Sequence, residues 1–259
     1  MKPLQIKAEI ISNENVGAGY WRCVLSAGAL AKRAYPGQFV NIKVNKTCAP
    51  LLRRPLSIHY VEQNKVVLLY EALGIGTKSL ALKKQGDFLD IIGPLGKGFD
   101  LSAGRKNKES VLVSGGMGIA PILFLSKLLD RKKTRVILGA RTKNDLLCLG
   151  ELKKKGFKVE VATDDGSLGF KGKVTGLLEK FLAARSAIEI YACGPQAMLK
   201  AVAKIACKNK QPAQLSLEAH MACGIGACLG CVVRTSGGFK RVCVDGPVFT
   251  AEELLWENQ

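Results

Sequence analysis

The chain has 259 residues, 47% hydrophobic and 23% charged, with a formal net charge of +18. These fractions are globular and exclude disorder as the main state, and the length suggests two domains or two plus a small module. The longest uncharged stretch, 111–126, is broken by four glycines and prolines and is too short for a membrane span; the first ten residues lack the apolar core of an export signal.

Charge and cysteine usage narrow the class. Residues 1–100, 101–212 and 213–259 carry net charges of +7, +13 and −2. Positive charge is thus spread over folded-looking segments rather than gathered in a tail. It reads as solvated helix faces, with neither a nucleic acid nor a membrane as partner. There are nine cysteines, and four of them fall within 223–243. An odd, clustered set with no export signal points to metal or cluster binding in the cytoplasm rather than to disulfides.

Residues 1–100 read as β. Short alternating or apolar runs at 5–11, 37–44, 66–70 and 88–92 are separated by Gly and Pro, and only 77–84 looks helical. Within this region Arg53-Arg54-Pro55-Leu56-Ser57 enters a strand, where Arg54 could grip a phosphate and Ser57 add a hydroxyl; an exposed basic turn is the plainer reading. Gly74-Ile75-Gly76-Thr77 then opens the helix and aims N–H groups at an anion. Two phosphate-type sites in one small antiparallel barrel suit a dinucleotide.

After residue 100 the pattern alternates. Strands are expected at 110–114, 135–139, 158–162 and 189–193, and helices at 121–129, 145–155, 173–184 and 196–208. That order predicts a parallel sheet covered by helices, ending at Pro212. Gly115-Gly116-Met117-Gly118 joins the first strand to its helix, a place where pyrophosphate binds helix N–H groups. It departs from the Rossmann fingerprint: Pro121 replaces the third glycine, and Arg141-Thr142-Lys143 stands where an acidic residue would follow. A second turn, Cys193-Gly194-Pro195, closes the fourth strand on the same sheet edge. Either turn taken alone could be only a tight connection.

The last 47 residues carry Cys223, Cys228, Cys231 and Cys243, spaced C-x4-C-x2-C-x11-C, with helical periodicity only at 251–256. Three ligands on one Gly-rich loop with a distant fourth suit a [2Fe–2S] cluster. Structural zinc, the alternative, favours two separated pairs. His59 and His220 read as structural, and Cys23, Cys48, Cys148 and Cys207 belong to no pattern. The expected fold class is therefore α+β multidomain: an antiparallel β-barrel over 1–100, a parallel-sheet α/β domain over 101–212 and a small cluster module over 213–259.

The motifs RPLS at 54–57, GIGT at 74–77, GPLGKGF at 93–99, GGMGIAP at 115–121 and YACGP at 191–195, in this order, resemble the ferredoxin–NADP reductase superfamily. With MACGIGACLGC at 221–231 and RVCVDGPVF at 241–249, the resemblance narrows to the electron-transfer subunits of NAD-dependent (class 1B) dihydroorotate dehydrogenases. It implies FAD contacts from Arg54, Pro55, Leu56, Ser57, Leu69, Tyr70, Glu71, Gly76 and Thr77. Glu71, being an acid, would contribute through its backbone. It implies NAD contacts from Gly115, Gly116, Gly118, Cys193 and Gly194, and a [2Fe–2S] cluster on the four cysteines. It further implies an FMN-containing catalytic partner subunit in a heterotetramer of pyrimidine biosynthesis. No acid–base catalytic residue is expected, because the cofactors carry the chemistry. A free-standing NAD(P)H:acceptor reductase and a non-catalytic cluster sensor are the rival readings.

Overall fold

The structure is a computed structural model that describes residues 2–45, 47, 49–102, 109–183, 185 and 187–256; Cys48 and residue 184, the expected end of one helix, lie outside these. Six strands, β1 (Leu4–Gly17), β2 (Tyr20–Ser26), β3 (Phe39–Lys43), β4 (Arg54–Glu62), β5 (Lys65–Glu71) and β6 (Phe88–Leu95), close a barrel in the order β1-β2-β5-β4-β3-β6. All its pairings are antiparallel. Alternate residues point inward, so Ala8, Ile10, Cys23, Leu25, Val40, Ile42, Ile58, Leu68 and Ile91 fill one core. Burial there pushes the Cys23 thiol up to about 12, an inert core cysteine.

Two short helices attach to the barrel, α1 (Gly28–Ala31) and α2 (Ile75–Ala81). The expected helix at 77–84 therefore begins and ends earlier. The Thr77 hydroxyl accepts the N–H groups of Leu73 and Gly74 at 3.0 and 3.3 Å, which draws the preceding loop into the first turn. At the other end Asp87 takes the N–H of Lys84 at 2.9 Å and turns the chain.

The second sheet is built from β7 (Glu109–Gly115), β8 (Thr134–Ala140), β9 (Lys158–Thr163), β10 (Phe170–Lys171), β11 (Ile188–Cys193) and β12 (Ala213–Ser216). A hairpin of β13 (Val232–Thr235) and β14 (Gly238–Arg241) follows, and β15 (Val248–Thr250) returns to the sheet. The strand order is β10-β9-β8-β7-β11-β12-β15, parallel except for β15. The four expected strands are present. Residues 213–216 and 248–250 of the Cys-rich segment complete the same sheet, so cluster segment and nucleotide-type sheet share one framework.

Four helices cover this sheet: α3 (Ile119–Ser126), α4 (Leu149–Lys154), α5 (Val174–Leu182) and α6 (Gln196–Lys208). Every residue of α3 is buried between sheet and barrel. The helix expected at 145–155 is split. The Thr142 hydroxyl caps the N–H of Asn144 and donates to Asp145, making a single 3₁₀ turn, and Cys148 at φ +60° resets the chain before α4. The helix expected at 251–256 does not form. Its backbone N–H and C=O groups bond across to the hairpin instead, Leu255 to Arg234 and Ser236 to Glu253. A segment that short gains too few internal bonds to compete.

Barrel and α/β sheet are locked by specific contacts. Lys127 of the segment after α3 sits 3.6 Å over the Tyr60 ring, and Arg22 of β2 pairs with Glu151 of α4. His59 of β4 donates Nδ1–H to the Ala120 carbonyl at 3.1 Å, while Nε2 lies 3.8 Å from the Cys148 Sγ. Burial holds the imidazole near 3, hence neutral, and pushes the Cys148 thiol up to about 12. Both therefore belong to a structural joint, with the Arg22 guanidinium as its charge. Among the described residues no helix is long and apolar enough to cross a membrane.

Candidate redox and nucleotide site

A cavity of about 1110 Å³ opens where the barrel meets the carboxyl ends of the parallel strands. That edge is where open α/β sheets place ligands. The barrel contributes Pro55, Leu56 and Ser57 from β4 and Leu69, Tyr70 and Glu71 from the end of β5. The α/β side contributes Gly115, Gly116 and Gly118 after β7, and Cys193 and Gly194 after β11. Eleven of the fourteen expected nucleotide-contact residues thus line one cavity.

The other three, Arg54, Gly76 and Thr77, form a group at the mouth of the barrel. Of the two adjacent arginines, Arg53 is committed inward, with Asp90 Oδ2 at 3.0 Å and the Asp90 carbonyl at 2.9 Å. Arg54 instead lies flat against Gly76, its guanidinium braced by the Leu52 carbonyl. A side chain at Gly76 would overlap that guanidinium, so the glycine is required by close approach. The same holds where the two turns of the α/β domain meet. A Cβ on Gly118 would land on the Cys193 carbonyl and within 2.7 Å of the Gly194 nitrogen.

Cys193 is fully buried, bonded to Ser216, and burial raises its thiol well above the ordinary range. Its thiol is neutral, and the residue is part of the cavity lining. At the start of β2, beside Glu71, burial with the neighbouring Glu71 and Asp145 raises the Tyr20 phenol, and the Arg141 charge offsets part of that rise.

The four clustered cysteines converge. Val242 donates its N–H to the Cys231 carbonyl at 3.0 Å, which brings Cys231 beside Cys243. Burial, then the Cys231 thiol, pushes Cys243 up to about 12. Cys223 goes the other way. Burial raises it, but the N–H groups of Ile225, Cys228 and Ala227 and the Cys228 thiol outweigh that and bring it to about 6. The Ile225 N–H lies 3.4 Å from the Cys223 Sγ. N–H groups aimed at sulfur, on a loop bent through positive φ at Gly224 and Gly226, are what anionic cluster thiolates require. Arg241 fixes the loop, reaching the Gly226 carbonyl at 3.2 Å while paired with Asp245 at 3.1 Å.

Several lining residues carry no motif signal: Tyr20, Asp164, Met198 and Glu218 all face the cavity. Asn41 of β3 donates to the Cys223 carbonyl at 3.2 Å and ties the cluster loop to the barrel. His220, expected to be structural, lies at the cavity rim.

Barrel, parallel sheet and cavity together define a pyridine-nucleotide-linked flavin reductase fold. The ferredoxin NADP+ reductase of Neisseria gonorrhoeae, solved with bound FAD and NADP, matches with TM-score 0.65 at 18% identity over 79% of this chain and 91% of that one. A chain of the NADH-dependent reduced ferredoxin-NADP oxidoreductase matches with TM-score 0.85 at 32% identity over 96% of this chain and 90% of that one. Residues 112–204 match the oxidoreductase NAD-binding domain, and 218–255 match the iron-sulfur cluster binding domain of dihydroorotate dehydrogenase B. The electron transfer subunit of dihydroorotate dehydrogenase B (NAD(+)) from Desulforamulus reducens is 39% identical over 96% of this chain and 98% of its own length. The chain belongs to that family of electron transfer subunits. It is an oxidoreductase subunit that uses FAD, an iron-sulfur cluster and NAD, and its family name entails a catalytic partner.

Proposed function

We propose that the chain carries electrons between dihydroorotate oxidation, at FMN in a separate catalytic subunit, and NAD+. The work divides along the sequence: residues 1–100 hold FAD, 101–212 hold NAD, and 213–259 hold a [2Fe–2S] cluster on Cys223, Cys228, Cys231 and Cys243. Arg54 grips the FAD pyrophosphate with the Gly76-Thr77 turn beside it, and β4 and the end of β5 bed the remainder. Gly115, Gly116 and Gly118 take the nicotinamide nucleotide's pyrophosphate, and Cys193 and Gly194 close over its ring. The flavin, when bound, exchanges hydride with nicotinamide and single electrons with the cluster. The protein's own part is to hold, orient and exclude water, with no side chain as acid or base. The assembly is a cytoplasmic heterotetramer with two chains of each kind.

One observation carries this reading: the cluster loop adjoins the nucleotide cavity. Ala219, His220 and Met221 line that cavity, and Cys223 follows two residues later, tied to the barrel by Asn41. Ile225 and Leu229 of the loop and Val232 and Phe239 of the hairpin after it are exposed, apolar side chains offered to the catalytic subunit. The pure chain should reduce dyes with NADH yet oxidise no dihydroorotate, and adding the catalytic subunit should create dihydroorotate:NAD+ activity. Dihydroorotate-dependent NADH formation by the chain alone would overturn the reading. Iron and sulfide should be found in equal amounts, two of each per flavin; stoichiometric zinc without sulfide would remove the cluster assignment.

A further inference from the structure

We propose that His59, Cys148 and Glu151 form a binding site for a zinc-class divalent cation that staples the barrel to the α/β domain. The site uses none of the four cluster cysteines and does not depend on what fills the nucleotide cavity.

One ligand atom from each of the three residues lies within 4.8 Å of the other two. The barrel supplies His59 from β4, and the other side of the joint supplies Cys148, just before α4, and Glu151 within it. The imidazole is oriented for a metal. Its Nδ1–H is bonded to the Ala120 carbonyl at 3.1 Å, so the lone pair sits on Nε2, which lies 3.8 Å from the Cys148 Sγ. Metal-bound histidines are held by the same kind of second bond. Zinc bonds of about 2.3 Å to sulfur and about 2.1 Å to nitrogen, at a tetrahedral angle, set those two atoms about 3.6 Å apart. The observed pair is within about 0.2 Å of that spacing.

Glu151 gives Oε1 to Arg22, which leaves Oε2 for the ion. As the ion enters, the Cys148 thiol releases its proton to solvent. Thiolate and carboxylate then offset the two charges of the ion, and a water completes the tetrahedron. His59 is fully buried, whereas the Glu151 side chain is 35% exposed and opens the path from solvent. Charge decides which ion is taken. The cations Arg22, Lys127 and Lys155 all bear on His59. They repel an ion held by charge alone, and Mg2+ or Ca2+ would seek an oxygen shell where one carboxylate is offered. An ion that bonds strongly to thiolate and imidazole overcomes the repulsion, which selects zinc and its d-block neighbours.

The test is titration of the iron- and flavin-loaded full chain, stripped of loosely held metal, with Zn2+ in competition with a chromogenic chelator. One equivalent should bind per chain, with iron content unchanged. Cys148→Ser and Glu151→Gln should each weaken binding at least tenfold, and Cys207→Ser, which removes an exposed thiol on α6, should not. Zn2+ should raise the urea midpoint of the native chain and leave that of Cys148→Ser where it was. Should both ligand variants fail to fold, X-ray absorption at the zinc edge of the native chain decides: the ion should have one sulfur neighbour, the others being nitrogen or oxygen. A chain that binds no stoichiometric Zn2+, equal binding by Cys148→Ser, or a shell of four sulfurs, which would put the ion on the cluster cysteines, would each overturn the proposal.

Discussion

Replacing Gly76 by alanine separates flavin binding from folding. The new Cβ would come within 2.6 Å of Arg54 Cζ and 2.8 Å of Nη2, distances no carbon tolerates, so the guanidinium must swing off the α2 turn. Arg54 is a flexible side chain, and its displacement costs the fold little. Alanine in place of glycine near a helix start regains up to about 1 kcal/mol of backbone entropy. Folding stability should therefore change by less than about 1 kcal/mol in either direction. The FAD pyrophosphate, by contrast, would lose a charge-assisted contact worth about 1.5–3 kcal/mol, or about tenfold to 150-fold in affinity. Flavin retention under dilution, followed by fluorescence of released FAD, measures this, and urea unfolding of the flavin-free protein measures the fold. Arg54→Ala should give the same loss, and the double variant should lose no more than either single one, because both remove one interaction. Wild-type flavin retention in Gly76→Ala, or fully additive losses, would refute the assignment of Arg54 to the pyrophosphate.

Gly118→Ala should act on the other nucleotide. Its Cβ meets backbone rather than a movable side chain, so the two turns must part, with about 1–3 kcal/mol lost in stability and a raised KM for NADH at unchanged flavin content. Cys231→Ser should abolish or weaken the cluster, read from iron content and the visible spectrum, while NADH reduction of a two-electron dye survives; loss of flavin reduction would mean the cluster also holds the fold. His59 sets an acid limit on stability. Burial keeps its imidazole near 3 against an ordinary 6.5, so between those values the unfolded chain binds a proton that the folded chain refuses. Stability should fall with pH across that window by up to about 1.4 kcal/mol per unit, and His59→Gln should flatten the slope in urea titrations. An unchanged slope would mean that His59 titrates normally.

What the sequence disclosed and what it hid have a common physical basis. Regular features were legible. The strands at 110–114 and 189–193 are apolar runs buried on both faces, and α6 at 196–208 carries an uninterrupted amphipathic pattern, so periodicity alone found them. The cysteine spacing and the glycine turns were legible because their chemistry demands particular residues at particular distances. Features set by pairing across the fold were not. β12 and β15 are four and three residues long and exist because they extend in turn, β12 on β11 and β15 on β12, a sheet started more than a hundred residues earlier. The turn at 251–256 has helical periodicity but spends its hydrogen bonds on the hairpin.

The barrel–sheet joint bears directly on electron transfer. Phe39 and Leu95 of the barrel pack into the core beneath β11 and β12, while Phe124 of α3 packs into the barrel core. Each domain thus fills space in the other, and sliding one past the other would open cavities costing about 24 cal/mol per Å³. The cluster loop is held to the same frame, by Asn41 from the barrel and by β12 and β15 from the sheet. All three binding regions are therefore referenced to one packed body rather than joined by linkers. A hydride step requires contact between the two rings, and electron transfer requires a short fixed gap to the cluster. Loops alone would set neither. At the joint, His59 with Ala120 fixes the register of that packing, because a shift of the domains would leave a buried Nδ1–H and a carbonyl unpaired, and the partly exposed Arg22–Glu151 pair adds a charge contact beside it.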